Sequence, residues 1–376
     1  MNQGPASSGP FFPREDSLTP SSEEVLRQRL QTGFLGIIAF SLVLFLLFQA
    51  RFVLICLAIA VILFSLTSDA IHAISTRLKV PNWLATTLAL IGITLGLIWL
   101  STTIMSQVNE VVGRAITYAE SVQVALTALI ERFGPEAQTR LLAALTEFNI
   151  TGWLRSLAGQ ASGLLSGSLL VILFVGFMFA ERAWLPIKVE RLTGDPDQAL
   201  RVRLIMASIM RRVNRYLVVK TFVSALTAAG VWLIYVVAGL ELAMAMALLT
   251  FVLNFIPNIG SVIAWGITVA LAFVLTGDST ATIAVGFACL LVHFVLGNIL
   301  DPMLTGQTLQ LSSFGIILSL AFWGAIWGIA GAFLAVPIMV AVMIVCWHIP
   351  WLRPVAILLS REGLADIDTA RPATDP

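Results

Sequence analysis

Residues 312–349 read SSFGIILSLAFWGAIWGIAGAFLAVPIMVAVMIVCWHI, thirty-eight positions without one Asp, Glu, Lys or Arg. A helix needs about 20 apolar residues to cross a hydrocarbon core of about 30 Å. Four more runs with almost no charge lie upstream, at 83–105, 162–180, 217–238 and 242–276. Of the 376 residues, 58% are hydrophobic and 11% charged, and the mean hydropathy is +0.94. A soluble globular protein is about 25% charged and cannot hide that much apolar surface. The fold class that follows is all-α. The chain reads as a polytopic helical membrane protein with about eight transmembrane segments, some broken or half-length.

Residues 1–33 differ, with Pro, Ser and Gly followed by Glu23, Glu24, Arg27 and Arg29. They read as a disordered cytoplasmic tail. The first apolar stretch, 34–50, has no small-residue cleavage site after it and reads as an anchor. Orientation follows from Lys and Arg. Nine basic residues stand against three acids between Arg182 and Lys220, whereas 106–160 carries four basic and five acidic residues. The positive-inside rule therefore places 182–220 in the cytoplasm, as a basic loop, and 106–160 outside. The expected organisation is N-terminal transmembrane helices over 34–105, an extracytoplasmic amphipathic helical segment over 106–160, a transport core over 161–350, and a cytoplasmic C-terminal tail over 351–376. Both termini are then cytoplasmic.

Cys56, Cys289 and Cys346 are isolated in apolar segments, and His72, His293 and His348 lack metal-ligand spacing. GxxxxGK[ST], GxSxG and HExxH are all absent. The reading is therefore of a non-enzyme with no cofactor and no metal. Arg211, Arg212 and Arg215 read as contacts to anionic lipid and not to nucleic acid. Trp323, Trp327, Trp347 and Trp351 read as an aromatic belt at the membrane interface.

Val108, Val112, Ala115, Ala119, Val122, Leu126, Leu129 and Phe133 alternate by four and three, which keeps one helix face turned toward a partner. Val112, Ala115, Ala119, Val122 and Leu126 are the candidate oligomer contacts. Packing within the subunit is the competing reading. Gly159, Gly163 and Gly167 read as close intramolecular helix packing.

Two further elements interrupt the apolar C-terminal half: NFIPNIG, Asn254 to Gly260, and NILDPMLTG, Asn298 to Gly306. Each places Asn before Pro and ends in Gly. A proline leaves a carbonyl one turn back without its helical donor. In secondary transporters such broken helices present backbone oxygens and helix ends to a polar solute or ion. Asp301, Asn298, Pro302, Gly306, Asn254, Pro257 and Gly260 are thus the candidate substrate or ion pathway. Asp301 would carry the charge, and Pro302 would free the Asn298 carbonyl. The alternative is a pair of cytoplasmic turns, with Asp301 only capping a helix.

From Asn298 onward the sequence NILDPMLTG, then FWGAIWG, then LAVP resembles the C-terminal signature of the autoinducer-2 exporter (PerM-like permease) family. NFIPNIG is similar to that family's upstream N-x-I-P-x-I-G, with Asn258 in place of an aromatic residue and Ser261 in place of a second proline. The resemblance extends more loosely over about residues 25–350. It implies a bacterial inner-membrane, multi-pass secondary transporter that exports autoinducer-2 or another small solute. It also implies homo-oligomers, pentamers among them. Na+(Li+)/H+ antiport and a non-transporting membrane scaffold are the alternatives. The partners expected are a small-molecule or cation substrate, the lipid bilayer and further copies of the chain.

Overall fold

The structure, a computed structural model, describes residues 22–78, 81–130, 150–257, 259–305, 311–361 and 363. These form helices almost throughout: the chain is an all-α polytopic membrane protein. Among the described residues, eight helices are long and apolar enough to cross a membrane. Two compact units are distinguished, Met1–Ala50 and Arg51–Pro376. The first contains α1 (Ser22–Gln49), whose apolar side chains, such as Phe34, Leu35 and Phe45, are exposed. A helix that is apolar all round and uncovered is suited to lipid.

The second unit begins with α2 (Arg51–Leu78), α3 (Asn82–Ile130) and α4 (Ile150–Glu181). Cys56, Ala60, Val171 and Val175 form their common core, and Ser101 Oγ lies 2.8 Å from Ser168 Oγ between α3 and α4. α3 continues without a break across position 105, so the apolar span and residues 106–130 are one helix. Arg114, where the apolar part of α3 ends, pairs with Glu241, just after the helix Pro196–Val237.

The expected basic loop is largely helical. Residues 185–193 form α5 (Leu185–Thr193), and Pro196–Val237 is a single 42-residue helix, α6. The Asp195 side chain caps α6 by accepting from the Asp197 amide, and Pro196 stands in the first turn, where its missing N–H costs nothing. No Gly or Pro follows until Gly230, so nothing in the basic stretch stops the helix.

Next come α7 (Ala243–Leu253), α8 (Ile259–Thr276) and α9 (Ser279–Phe294). With 11 residues, α7 reaches about 16 Å, roughly half a hydrocarbon core. It turns at Asn254–Pro257 and the chain folds back as α8. A Cβ on Gly260 would lie 1.7 Å from the Leu253 carbonyl oxygen, so only glycine permits this bend. NFIPNIG is therefore a true break between half-length and full-length helices.

NILDPMLTG is something different. After α9 the backbone widens into a π-helix over Val295–Leu300 and resumes as α10 (Asp301–Thr305) without a gap. The Asp301 amide bonds the Leu296 carbonyl, five residues back. In that register the residue five before Pro302 is Gly297, so the carbonyl facing the proline is displaced from Asn298. The expectation of a second broken helix gives way to a π-bulge in a continuous one.

The opening stretch is not one rod either. α11 (Ser313–His348) is interrupted at Gly328, whose φ of 64° and ψ of −141° are open only to glycine. Residues symmetric about Trp327 face each other: Ser319 Oγ donates to the Ala335 carbonyl at 2.7 Å, and a Cβ on Gly331 would sit 1.9 Å from the Trp323 oxygen. Residues 313–327 and 329–348 thus make a helical hairpin. The arms of this hairpin pack against the α7–α8 bend, with Phe255 and Phe333 rings 4.6 Å apart and Ile256, Leu320 and Ala335 in one apolar cluster. Trp327 is buried and its ring lies 4.6 Å from that of Trp323. These two tryptophans pack the hairpin. Pro350–Leu352 forms a 3-10 turn, and α12 (Arg353–Leu359) closes the described chain.

Candidate functional site

α6 carries a row of buried side chains at spacings of four, four, three, four and four: Tyr216, Lys220, Ser224, Thr227, Val231 and Tyr235. These spacings keep all six on one face. Five are polar. From Tyr216 to Tyr235 the row extends about 28 Å along the axis, close to the thickness of a hydrocarbon core.

The α7–α8 break and the π-bulge both converge on this face. Lys220 Nζ donates to Asp301 Oδ2 at 2.7 Å, with side-chain exposures of 8% and 19%. One turn further, Asn254 Nδ2 donates to Ser224 Oγ at 3.0 Å, and both residues are buried. Farther along, the Tyr235 hydroxyl donates to the Thr268 carbonyl of α8. Below Lys220, the Tyr216 hydroxyl is buried without a hydrogen-bond partner among the described residues, and the Asp301 charge reaches it. The Thr250 hydroxyl, one turn before Asn254 in α7, is likewise buried without a partner. An unsatisfied buried hydroxyl costs about 1–3 kcal/mol, so Tyr216, one turn from Lys220, and Thr250, one turn from Asn254, each hold unused hydrogen-bonding capacity along this face.

The π-bulge aims the carboxylate. His293 is buried in α9, with Nδ1 2.8 Å from the Cys289 carbonyl. In an ideal α-helix Asp301, eight residues on, would be turned about 80° away from the His293 face. The wider π turn takes back part of that rotation, and Asp301 meets α6. Close approach is possible because Gly230 of α6 faces Val292, which a Cβ would meet at 2.8 Å.

Of the sequence-derived candidates, the structure brings Asp301 and Asn254 together through α6. Pro257 and Gly260 shape the bend beneath Asn254. Pro302 is exposed at the start of α10, and Asn298 is exposed on the bulge and outside the polar cluster. Gly306 lies outside the described residues. The cluster also contains Lys220, Ser224, Tyr216 and Thr250, which the sequence reading did not name. Lys220 was counted there as one cytoplasmic charge among nine. A signal was nonetheless present, because Lys220 is the one charged residue in 217–238, a run the same reading takes as membrane-crossing.

On the oligomer stripe, Val112 is half-buried, and its neighbour Val111 packs against the core around Val231, Tyr235 and Leu242. Val111, beside this end of the stripe, therefore faces its own subunit. Ala115, Ala119, Val122 and Leu126 continue along α3, but their side chains lie outside the described residues. A separate cavity of about 670 Å³, lined by Ile71, Trp83, Phe179 and Arg182 among others, includes no residue of the α6 cluster.

The profile of AI-2E family transporters matches residues 35–351. The chain belongs to the AI-2E transporter family. Similar proteins include the AI-2 transport protein TqsA of Escherichia coli strain K12, 32% identical over 82% of this chain and 88% of that protein. A putative transport protein of Haemophilus influenzae is 29% identical over 88% of this chain and 96% of its own length. The putative transport protein YhhT of Escherichia coli strain K12 is 32% identical over 53% and 56%. Family membership accounts for the transporter-like architecture and for the multi-pass membrane location.

Proposed function

We propose that the chain is a secondary transporter of the bacterial inner membrane that exports a small neutral solute such as autoinducer-2, with both termini in the cytoplasm. The observation that carries this reading is the polar face of α6, about as long as a hydrocarbon core is thick and bearing the Lys220–Asp301 pair where the π-bulged helix meets it, one turn from the α7–α8 break. Asp301 and Lys220 orient the solute hydroxyls, Asn254 and Ser224 supply neutral donors and acceptors, and Tyr216 and Thr250 hold hydrogen-bonding capacity in reserve. Pro257 and Gly260 keep the α7–α8 bend in place. Pro302 and Asn298 shape the region of the bulge, and Gly306 is kept as a pathway candidate from the sequence alone. Val231 is the apolar step in the polar row.

Na+ or Li+ exchange is the less favoured reading, because the Asp301 carboxylate already has an internal cation at 2.7 Å that an incoming metal ion would have to displace. The deciding experiment is flux in proteoliposomes against a panel of neutral diols and alkali cations. Diol flux independent of Na+ and Li+ is expected. Cation-dependent proton movement without diol flux would overturn the assignment.

We also propose a homo-oligomer, a pentamer by analogy with the family, assembled through the outer part of α3. Ala119→Glu with Leu126→Glu would place like charges on every copy and is expected to reduce the particle in mild detergent to a monomer. An unchanged mass by light scattering would return the whole stripe to packing within the subunit.

A further inference from the structure

We propose that α5 and the basic half of α6 form a docking surface for anionic phospholipid headgroups, independent of the solute pathway. α5 has no buried residue, although Leu185, Val189 and Leu192 lie on one side of it. Leu192 is 86% exposed and Trp184, at the helix N-cap, is 59% exposed. Lys188 and Arg191 border this apolar side at the next helical positions. An apolar stripe edged by basic residues and led by tryptophan has the composition of a helix lying in a membrane interface.

α6 continues the surface. Its 42 residues extend about 63 Å, twice a hydrocarbon core, and the buried polar row starts only at Tyr216. The part before Tyr216 therefore lies at or beyond the membrane edge, and there Arg201, Arg203, Arg211 and Arg215 are exposed. Between positions 182 and 215 eight basic residues face three acids. Arg203 holds the two helices together by donating to the Pro186 carbonyl at 2.6 Å, 3.9 Å from Glu190. Arg191, Arg201, Arg211 and Arg215 make no ion pair among the described residues, which leaves their charge available. The occupant is anionic because the surface is cationic, and a second copy of the same face would be repelled by its own charge. Juxtamembrane basic residues each contribute measurably to the attraction for an anionic leaflet.

The test uses the purified full chain in mild detergent, titrated with phosphatidylglycerol or with phosphatidylcholine of the same acyl chains. Phosphatidylglycerol is expected to raise the melting temperature and to be retained in native mass spectra. Phosphatidylcholine and inorganic phosphate are expected to do neither. Replacing Arg191, Arg201, Arg211 and Arg215 by Gln should leave the lipid-free melting temperature unchanged and weaken phosphatidylglycerol binding at least about tenfold. Lys at the same four positions should preserve it. Equal binding of the two lipids by the wild type, or undiminished phosphatidylglycerol binding by the Gln variant, would overturn the proposal. So would a change of oligomer mass in that variant, which would assign the surface to a second copy.

Discussion

Replacing Lys220 by Met and Asp301 by Asn together is expected to recover the stability that each single replacement removes, without recovering transport. Taken alone, Lys220→Met leaves a carboxylate largely out of water with its cation gone, and Asp301→Asn leaves an ammonium that is 8% exposed. Breaking a buried pair from one side costs about 3–5 kcal/mol, whereas replacing both partners by uncharged groups is often near neutral. In Asp301→Asn the asparagine oxygen still accepts a hydrogen bond from Lys220 but cannot balance its charge. Loss of transport in Asp301→Asn by itself would therefore mix unfolding with mechanism, and the double variant separates them. Thermal unfolding in detergent should show both single variants well below the wild type and the double variant close to it. Efflux per reconstituted molecule should fall at least about tenfold in all three, the loss of a charge-assisted hydrogen bond being worth about 1.5–3 kcal/mol. A double variant that transports at the wild-type rate would make the pair a structural clasp and move the pathway elsewhere.

The parts of this architecture that hydropathy and punctuation specify were readable from the residues. Absence of charge marked the membrane helices, and Pro257 with Gly260 marked the α7–α8 break, because proline removes a donor and glycine alone survives 1.7 Å from a carbonyl. The Asp-Pro pair was read as another break, yet the helix absorbs the proline by adding one residue to a turn, and no local rule distinguishes a π-bulge from an interruption. The Gly328 hairpin left a trace that length exposes. Thirty-eight uncharged residues would make a rod of about 57 Å, too long for one crossing, and Gly324, Gly328 and Gly331 are the positions at which it can fold. Lys220 shows the limit of counting charge along the chain. The positive-inside rule sums basic residues without regard to helix face, whereas the role of Lys220 comes from sharing a face with Tyr216 and Ser224 and from a partner 81 residues away.

Gly260→Ala is expected to be among the most damaging single substitutions that change no charge and remove no side-chain contact. The added methyl would stand 1.7 Å from the oxygen and 2.7 Å from the carbon of the Leu253 carbonyl, both backbone atoms at the end of α7, so no rotamer change relieves it. α7 and α8 must separate, and the separation draws Asn254 away from Ser224 and loosens the contact of Phe255 with Phe333. Overpacking usually costs about 1–3 kcal/mol when side chains can yield, and a clash with backbone should reach or exceed the upper end. Gly266→Ala, in the same helix α8 but with nothing within 4 Å of the new carbon, provides the control. It should be neutral, or stabilising by up to about 1 kcal/mol through helix propensity. Melting temperatures of the two variants in one detergent, with efflux measured on the same preparations, decide the matter. A wild-type melting temperature for Gly260→Ala would mean that the α7–α8 bend is open. Asn254 would then have no fixed position opposite Ser224, and the convergence of the α7–α8 break and the π-bulge on α6 would lose its support.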